Sequence, residues 1–437
     1  VSGGAPGDRR RSAGALLRHI ALDFSPLRAS RDFRLLEAGQ VVSGIGSQIA
    51  LVALPTQIYL LSHSAALVGL LGLFELGPMV VASLLGGAIV DRLDRRTVLI
   101  AAQFIAIAAA GALGAVSLAT RPPAIVILIL GGLLAGSSAL DNVTRSAILP
   151  RIVPADRLRS ALAFNYGAYQ LTGIVGPAIG GILIAAIGLG KSYLIDAASC
   201  LAMLGSAIAL SAQPPLHVEG GPGHPPIRKS IAEGLRFVRH NQALSGSFAI
   251  DLVAMTFGWP RSMLAVLSLS VYGAGSRGTG LLFAALAVGG TLSVLTAGWI
   301  EHARRLGRIV IAVVIVWGLA IAGVGLVRSL APAMVLLAIA GFADGVSAVC
   351  RSTINQTVTP DGLRGRMSAV YTLVVTGGPR LGDIESGVVA GLTSAVTSVL
   401  TGGLACVAGA FAVAAAFPAL VRYGDEPLEP ALQTTSE

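Results

Sequence analysis

Twelve ionisable side chains fall inside long apolar runs of the chain: Glu37, Glu75, Asp141, Asp196, Asp251, Asp344, Asp383, Glu385, Arg145, Arg261, Arg351 and Arg380. A charge surrounded by hydrocarbon is costly, so each is a functional candidate by position alone. The densest group is Gly377-Gly378-Pro379-Arg380-Leu381-Gly382-Asp383-Ile384-Glu385. Arg380 and Asp383, three residues apart, share a helix face, whereas Glu385 points elsewhere. A carboxylate partly withdrawn from water can exchange protons near neutrality. Asp383 and Glu385, then Glu75 and Asp251, are therefore the candidates for proton coupling. Arg261 and Arg380 are the candidates for drawing an anionic substrate into a cavity. The competing reading is a structural cluster that neutralises itself.

Other chemistries find little support. Cys200, Cys350 and Cys406 lie in apolar runs without metal-ligand spacing, and the six histidines are scattered. Neither a metal site nor a cofactor is expected. The stretch from Ala185 to Ser192 comes within one glycine of a phosphate-binding loop. That motif needs a preceding strand and cytosolic nucleotide, and here it follows an apolar span. With no nucleophile–base pair in view, an enzyme is not expected.

These side chains must be positioned by membrane helices. Of 437 residues, 54% are hydrophobic and only 12% charged, about half the charge of a soluble domain. Apolar runs long enough to span a bilayer occur at about 33–60, 65–90, 97–119, 123–149, 158–188, 191–212, 242–272, 275–300, 308–329, 332–357, 366–393 and 397–420. They lack the two-residue alternation of barrel strands. The expected fold is all-α, with twelve transmembrane helices. The net charge of +9 looks at first like a nucleic-acid signal. Of the 31 basic residues, however, 23 fall in the termini and alternate loops, including Arg9, Arg10, Arg11, Arg18, Arg92, Arg95, Arg96, Arg151, Arg157 and Arg159. Only Arg121, Lys191, Arg277 and Arg328 fall in the opposite loops. This asymmetry predicts both termini in the cytoplasm, and no nucleic-acid partner is expected.

The spans divide six and six. Residues 213–226 are rich in proline and glycine and read as a linker. Ile227, Ile231, Leu235 and Val238 then recur at helical spacing, interleaved with Arg228, Lys229, Arg236 and Arg239. This predicts a basic amphipathic helix on the membrane face. Arg145-Ser146-Ala147-Ile148 and Pro154 in the first half match Arg351-Ser352-Thr353-Ile354 and Pro360 in the second; 351 − 145 and 360 − 154 both equal 206. A shared offset at two anchors argues for an internal repeat, with a substrate path between the halves. The expected organisation is an N-terminal segment 1–32, bundles at 33–212 and 242–420, a linker with its amphipathic helix at 213–241, and a tail at 421–437.

The loop after span 2 reads Gly87-Ala88-Ile89-Val90-Asp91-Arg92-Leu93-Asp94-Arg95-Arg96. It resembles the G-x-x-x-D-R-x-G-R-R signature of the major facilitator superfamily, with Asp94 where glycine is usual. A weaker copy, Gly298 to Arg305 with Glu301 as its acid, follows span 8. The resemblance implies two pseudo-symmetric six-helix bundles. It also implies a cytoplasmic gate of Asp91, Arg92, Arg95, Arg96, Arg145, Glu301 and Arg351. Asp91–Arg145 and Glu301–Arg351 contacts are expected to hold that side shut in the outward-facing state, while Asp141, four residues from Arg145, can pair with it.

Phe33-Arg34, Val52 to Ile58, Ser62-His63-Ser64, Lys229 to Phe237 and Pro360 to Arg366 are similar to the enterobactin-exporter branch of the superfamily. The similarity implies a cytoplasmic-membrane exporter of siderophores or drugs driven by an ion gradient. Gly173, Gly176, Pro177, Gly180 and Gly181 in span 5 resemble the antiporter motif G-P-x-x-G-G. Physically they form a close-packing surface. Span 4 lacks the outer-half arginine of proton-coupled drug antiporters, so no relay role passes to Arg145. The combined expectation is a proton antiporter for an amphipathic small molecule, working as a monomer in the bilayer by alternating access. A proton-coupled importer of a small nutrient is the alternative, and an intramembrane enzyme or receptor the more distant one.

Overall fold

In hydrocarbon every backbone polar group must be satisfied within the protein, and the chain answers with helices, several of them capped by a serine or aspartate just before their first turn. A computed structural model describes residues 24–119, 122–214, 227–360 and 363–424. A short helix, Ser25–Ala29, leads into α1 (Arg31–Ser62), whose first turn is capped by the Ser30 hydroxyl accepting from the Phe33 amide. His63, in the left-handed conformation at φ 49°, turns the chain, and Ser64 caps α2 (Ala65–Arg92). Asp94 caps α3 (Arg95–Ser117) and also accepts from the Gln213 amide at 3.0 Å. The aspartate in place of glycine in the signature thus has a local use: it starts one helix and ties down the exit of another.

Next come α4 (Ala124–Ile152), α5 (Leu158–Ile187) and α6 (Leu189–Ala209). The basic amphipathic segment is α7 (Ile227–His240), whose Val238 packs with Leu244, Phe248, Met367 and Val370. Span 7 is two helices, α8 (Gln242–Phe257) and α9 (Arg261–Ser270), interrupted at Gly258-Trp259-Pro260. Proline offers no amide and biases the residue before it away from helix. The freed Gly258 carbonyl accepts from Trp317 Nε1 at 2.7 Å. The chain continues through α10 (Gly275–Leu295), α11 (Leu306–Leu326), α12 (Leu330–Val358), α13 (Arg364–Leu392) and α14 (Ala395–Ala416).

Among the described residues, eleven segments are long and apolar enough to cross a bilayer, with α8 and α9 counted as one. The remaining one, α13, is 29 residues long but carries the Arg380, Asp383 and Glu385 charges. The first six spanning helices pack as α1 on α5 and α6, α2 on α4, and α3 on α4 and α6. The second set repeats this pattern with α10 on α12 and α11 on α12 and α14. The most extensive crossings between the sets are α2 with α13 and α5 with α10. This is the two-bundle arrangement of the major facilitator fold.

Arg9, Arg10, Arg11, Arg18 and Arg121, linker residues 215–226, and the tail from 425 lie outside the described residues. So do the side chains of Arg228, Lys229 and Glu301.

Candidate functional site

Glycine sets how the two bundles meet. The α2–α13 crossing is so close that a Cβ on Gly69 would stand 2.4 Å from the Gly387 Cα, and one on Gly72 2.8 Å from the Arg380 carbonyl. In the α5–α10 crossing, a Cβ on Gly181 would meet the Ser276 carbonyl at 2.5 Å. Gly176 and Gly180 of the same motif pack instead on Gln48 and Ile49 of α1, while Gly173 has room to spare. Both crossings are tightest at the end of the bundle opposite the arginine-rich loops. Towards the basic end the bundles separate around a cavity of about 650 Å³, lined by α1, α2, α4, α5, α10, α12 and α13 among others.

The closed apex of that cavity holds an ion cluster. Arg380 of α13 forms an ion pair with Glu75 of α2 at 2.8 Å, and its other terminal nitrogen lies 3.7 Å from Asp383. The Glu75–Arg380 contact therefore joins the two bundles. The Asp383 Oδ1 accepts from the Ser262 amide at 2.9 Å. The break at Pro260 leaves that amide without a partner in its own helix, and the carboxylate caps the N-terminus of α9 from a neighbouring helix. Arg261 lies beside the group, within electrostatic reach of Glu75, Asp383 and Arg380. A void of about 30 Å³ separates these side chains from Leu51, Leu54 and Phe283, enough room for a water or two.

Four predicted residues, Glu75, Arg261, Arg380 and Asp383, thus come together. Glu385 does not join them. It lies on the face of α13 that also carries the exposed Leu381 and Val388, away from the cavity lining. Asp251 is elsewhere too, 1% exposed and bonded to Arg351 of α12 at 2.9 Å. Arg351 also donates to Ser347 at 3.1 Å.

The expected Asp91–Arg145 contact is not formed in this structure. Arg145 is held by Asp141 at 2.6 Å and by Asn142 at 2.7 Å, while the Asp91 and Arg92 side chains are exposed. With the basic end open, the partner one turn away on α4 takes the guanidinium. Arg95 donates to the Ala147 carbonyl and Arg96 to the Ile208 carbonyl, fastening the signature loop to α4 and α6. Arg351 is taken up by Asp251 inside its own bundle, while the Glu301 side chain expected to meet it lies outside the described residues. The broken span 7 was readable in advance from Gly258-Trp259-Pro260, whereas nothing in the sequence pairs Glu75 with Arg380.

A two-bundle helical membrane protein with a central cavity and charges at its apex is a transporter of the major facilitator class. The profile of the family described as Transmembrane secretion effector matches residues 21–431, and the chain belongs to that family. Curated relatives include the enterobactin exporter EntS of Shigella boydii, 28% identical over 384 residues, covering 87% of this chain and 91% of that one. The EntS of Citrobacter koseri is 26% identical over 388 residues, covering 88% and 92%. Among solved structures, the nucleoside transporter NupG superposes with a TM-score of 0.68 at 14% identity, covering 89% of this chain and 99% of that one. A bacterial homologue of the human lysosomal transporter Spinster gives 0.66 at 18% identity, covering 90% and 96%. The chain is a multi-span transporter and not an enzyme.

Proposed function

We propose that this protein exports a siderophore or drug-like amphipathic molecule across the cytoplasmic membrane in exchange for protons, by alternating access. The observation that carries the reading is the Glu75–Arg380 ion pair, which joins the bundles at the closed apex of the cavity. Export is supported by the names of the relatives. Placing the basic loops in the cytoplasm makes this the inward-open state, with its cavity facing the compartment from which an exporter loads.

The pair supplies the coupling rule. While Glu75 is ionised, its bond to Arg380 holds the outer crossings shut, so an empty, unprotonated carrier does not open outward. Substrate entering beneath the apex competes for these side chains and releases the link. Once open to the outside, Glu75 has left its guanidinium and takes a proton, and the neutral acid can be withdrawn from water as the outer end closes, which the bare carboxylate resists. In the inward state the apex meets cytoplasmic water again, the proton leaves, and the ion pair reforms. When the basic end closes, Asp91 and Arg145 move within reach of one another. Rigid-body rocking of this kind about a midplane site is the usual behaviour of such repeats.

Everted membrane vesicles provide the test, with ethidium and labelled enterobactin as probes. An imposed acid interior drives uptake by the native protein. Glu75→Gln reduces that uptake at least tenfold while leaving gradient-free exchange of the same probe intact. Unchanged gradient-driven uptake by Glu75→Gln would overturn the coupling role. Uptake that requires the opposite gradient would favour an importer.

A further inference from the structure

The charges lining the cavity do not balance. Its acids are Glu75, Asp141, Asp196 and Asp344, and its bases Arg145, Arg261 and Arg380. Arg145 is paired with Asp141 and Arg380 with Glu75, while Arg261 lies within electrostatic reach of both Glu75 and Asp383. Asp196 and Asp344 are left over, and the Oδ1 of each is buried without a hydrogen-bond partner. Asp196 is 2% exposed. The cation within electrostatic reach of Asp344 is Arg351, seven residues along its own helix. Arg351 is already bonded to Asp251 and Ser347.

What stands opposite Asp344 decides the chemistry. Tyr166 and Tyr169 of α5 are 49% and 56% exposed, and both line the cavity. Tyr166 is within electrostatic reach of Asp344 across it. Trp259 and Phe283 line the same cavity nearer the apex. A carboxylate without a cation, set among exposed aromatic faces in a low-dielectric cavity, is the arrangement that accepts an alkylammonium or other organic cation. An anion placed there would meet two uncompensated carboxylates.

We propose that the cavity binds substrates through a positively charged nitrogen, seated between Asp344 and the rings of Tyr166 and Tyr169, with Asp196 supplying the second negative charge on the opposite wall. The inference deepens the transport reading and rests on it for the identity of the cavity as the substrate site. It makes the amphipathic substrate an organic cation. The arginines drawn to acids at the apex and at Asp141 are not its anion receptors.

Equilibrium binding to the purified full-length protein in detergent tests this without any gradient, so a failure of proton coupling leaves the result readable. Tetraphenylphosphonium is the cationic probe and 2,3-dihydroxybenzoate the anionic one. Saturable binding of the cation is expected, with the anion at least tenfold weaker. Asp344→Asn, which keeps shape and removes charge, weakens cation binding about tenfold or more, the factor carried by one charge-assisted contact. Asp344→Glu restores most of it. Tyr166→Leu loses several-fold, whereas Tyr166→Trp retains binding. Elution profile and thermal unfolding confirm that each variant is folded. Should Asp344→Asn fail to fold, Tyr166→Leu against Tyr166→Trp carries the test. No saturable cation binding, preference for the anion, or cation affinity indifferent to Asp344 in a folded variant would each overturn the proposal.

Discussion

Two buried ion pairs in this molecule have almost the same chemistry and opposite mechanical consequences. Glu75–Arg380 and Asp251–Arg351 each join a carboxylate to a guanidinium at 2.8–2.9 Å between neighbouring membrane helices. The second lies within one bundle, between α8 and α12, at 2% exposure on both sides. Rocking the bundles carries it along unchanged. The first lies between bundles, α2 to α13, beside a cavity and a small void, at 16% and 11% exposure. Any opening of the far end must break it. What separates a structural pair from a gating pair is therefore less the depth of burial than which two rigid bodies its partners belong to.

The comparison can be broken most severely at the inner pair. Arg351→Ala leaves Asp251 buried without its guanidinium, which costs about 3–5 kcal/mol. Poor yield of folded protein and a markedly lower unfolding temperature in detergent are expected. Glu75→Gln, by contrast, should leave unfolding temperature nearly unchanged while removing coupling. If both variants destabilised the protein equally, the distinction between the two pairs would fail.

A geometric substitution sharpens the same contrast. Gly69→Val places a branched side chain where even a Cβ meets the Gly387 backbone at 2.4 Å. The clash arises only with the far end closed, so the variant should favour the opposite state. A cysteine introduced as Ser138→Cys on the cavity wall reports on this, because the three native cysteines are buried. Its reaction with a maleimide added from the basic side should slow several-fold in Gly69→Val. The smallest effect belongs to Asp141→Asn. The partner of Arg145 sits four residues away on one helix, and Asn142 still accepts from the guanidinium in the variant. The unfolding temperature should shift less than in Arg351→Ala.

Much of this was legible before the fold was known. Asp141 and Arg145 are one helical turn apart, and periodicity alone sets them together. The repeat offset marked Arg145 and Arg351 as equivalent residues, but not that one would pair along its own helix and the other across to α8. Pro260 signalled an interruption in span 7, yet not that the freed Ser262 amide would be capped by Asp383 from 121 positions away. Asp344 stood out as a charge in an apolar run. Its lack of a cation became visible only after every neighbouring arginine had been matched to its acid.

The division between sequence and tertiary structure follows the range of the forces. Crossing a bilayer is a local property, summed over about twenty residues and bounded by the thickness of hydrocarbon. The strings of apolar residues, the basic loops and the two sixfold sets are therefore determined by the chain read in order. Which carboxylate meets which arginine depends on how each helix is rotated and how closely it approaches its neighbours. That is settled by contacts such as Gly69 on Gly387 and Gly181 on Ser276, between residues hundreds or nearly a hundred positions apart. Only packing could place Glu75 against Arg380, and only packing could leave Asp344 facing Tyr166 without a cation of its own.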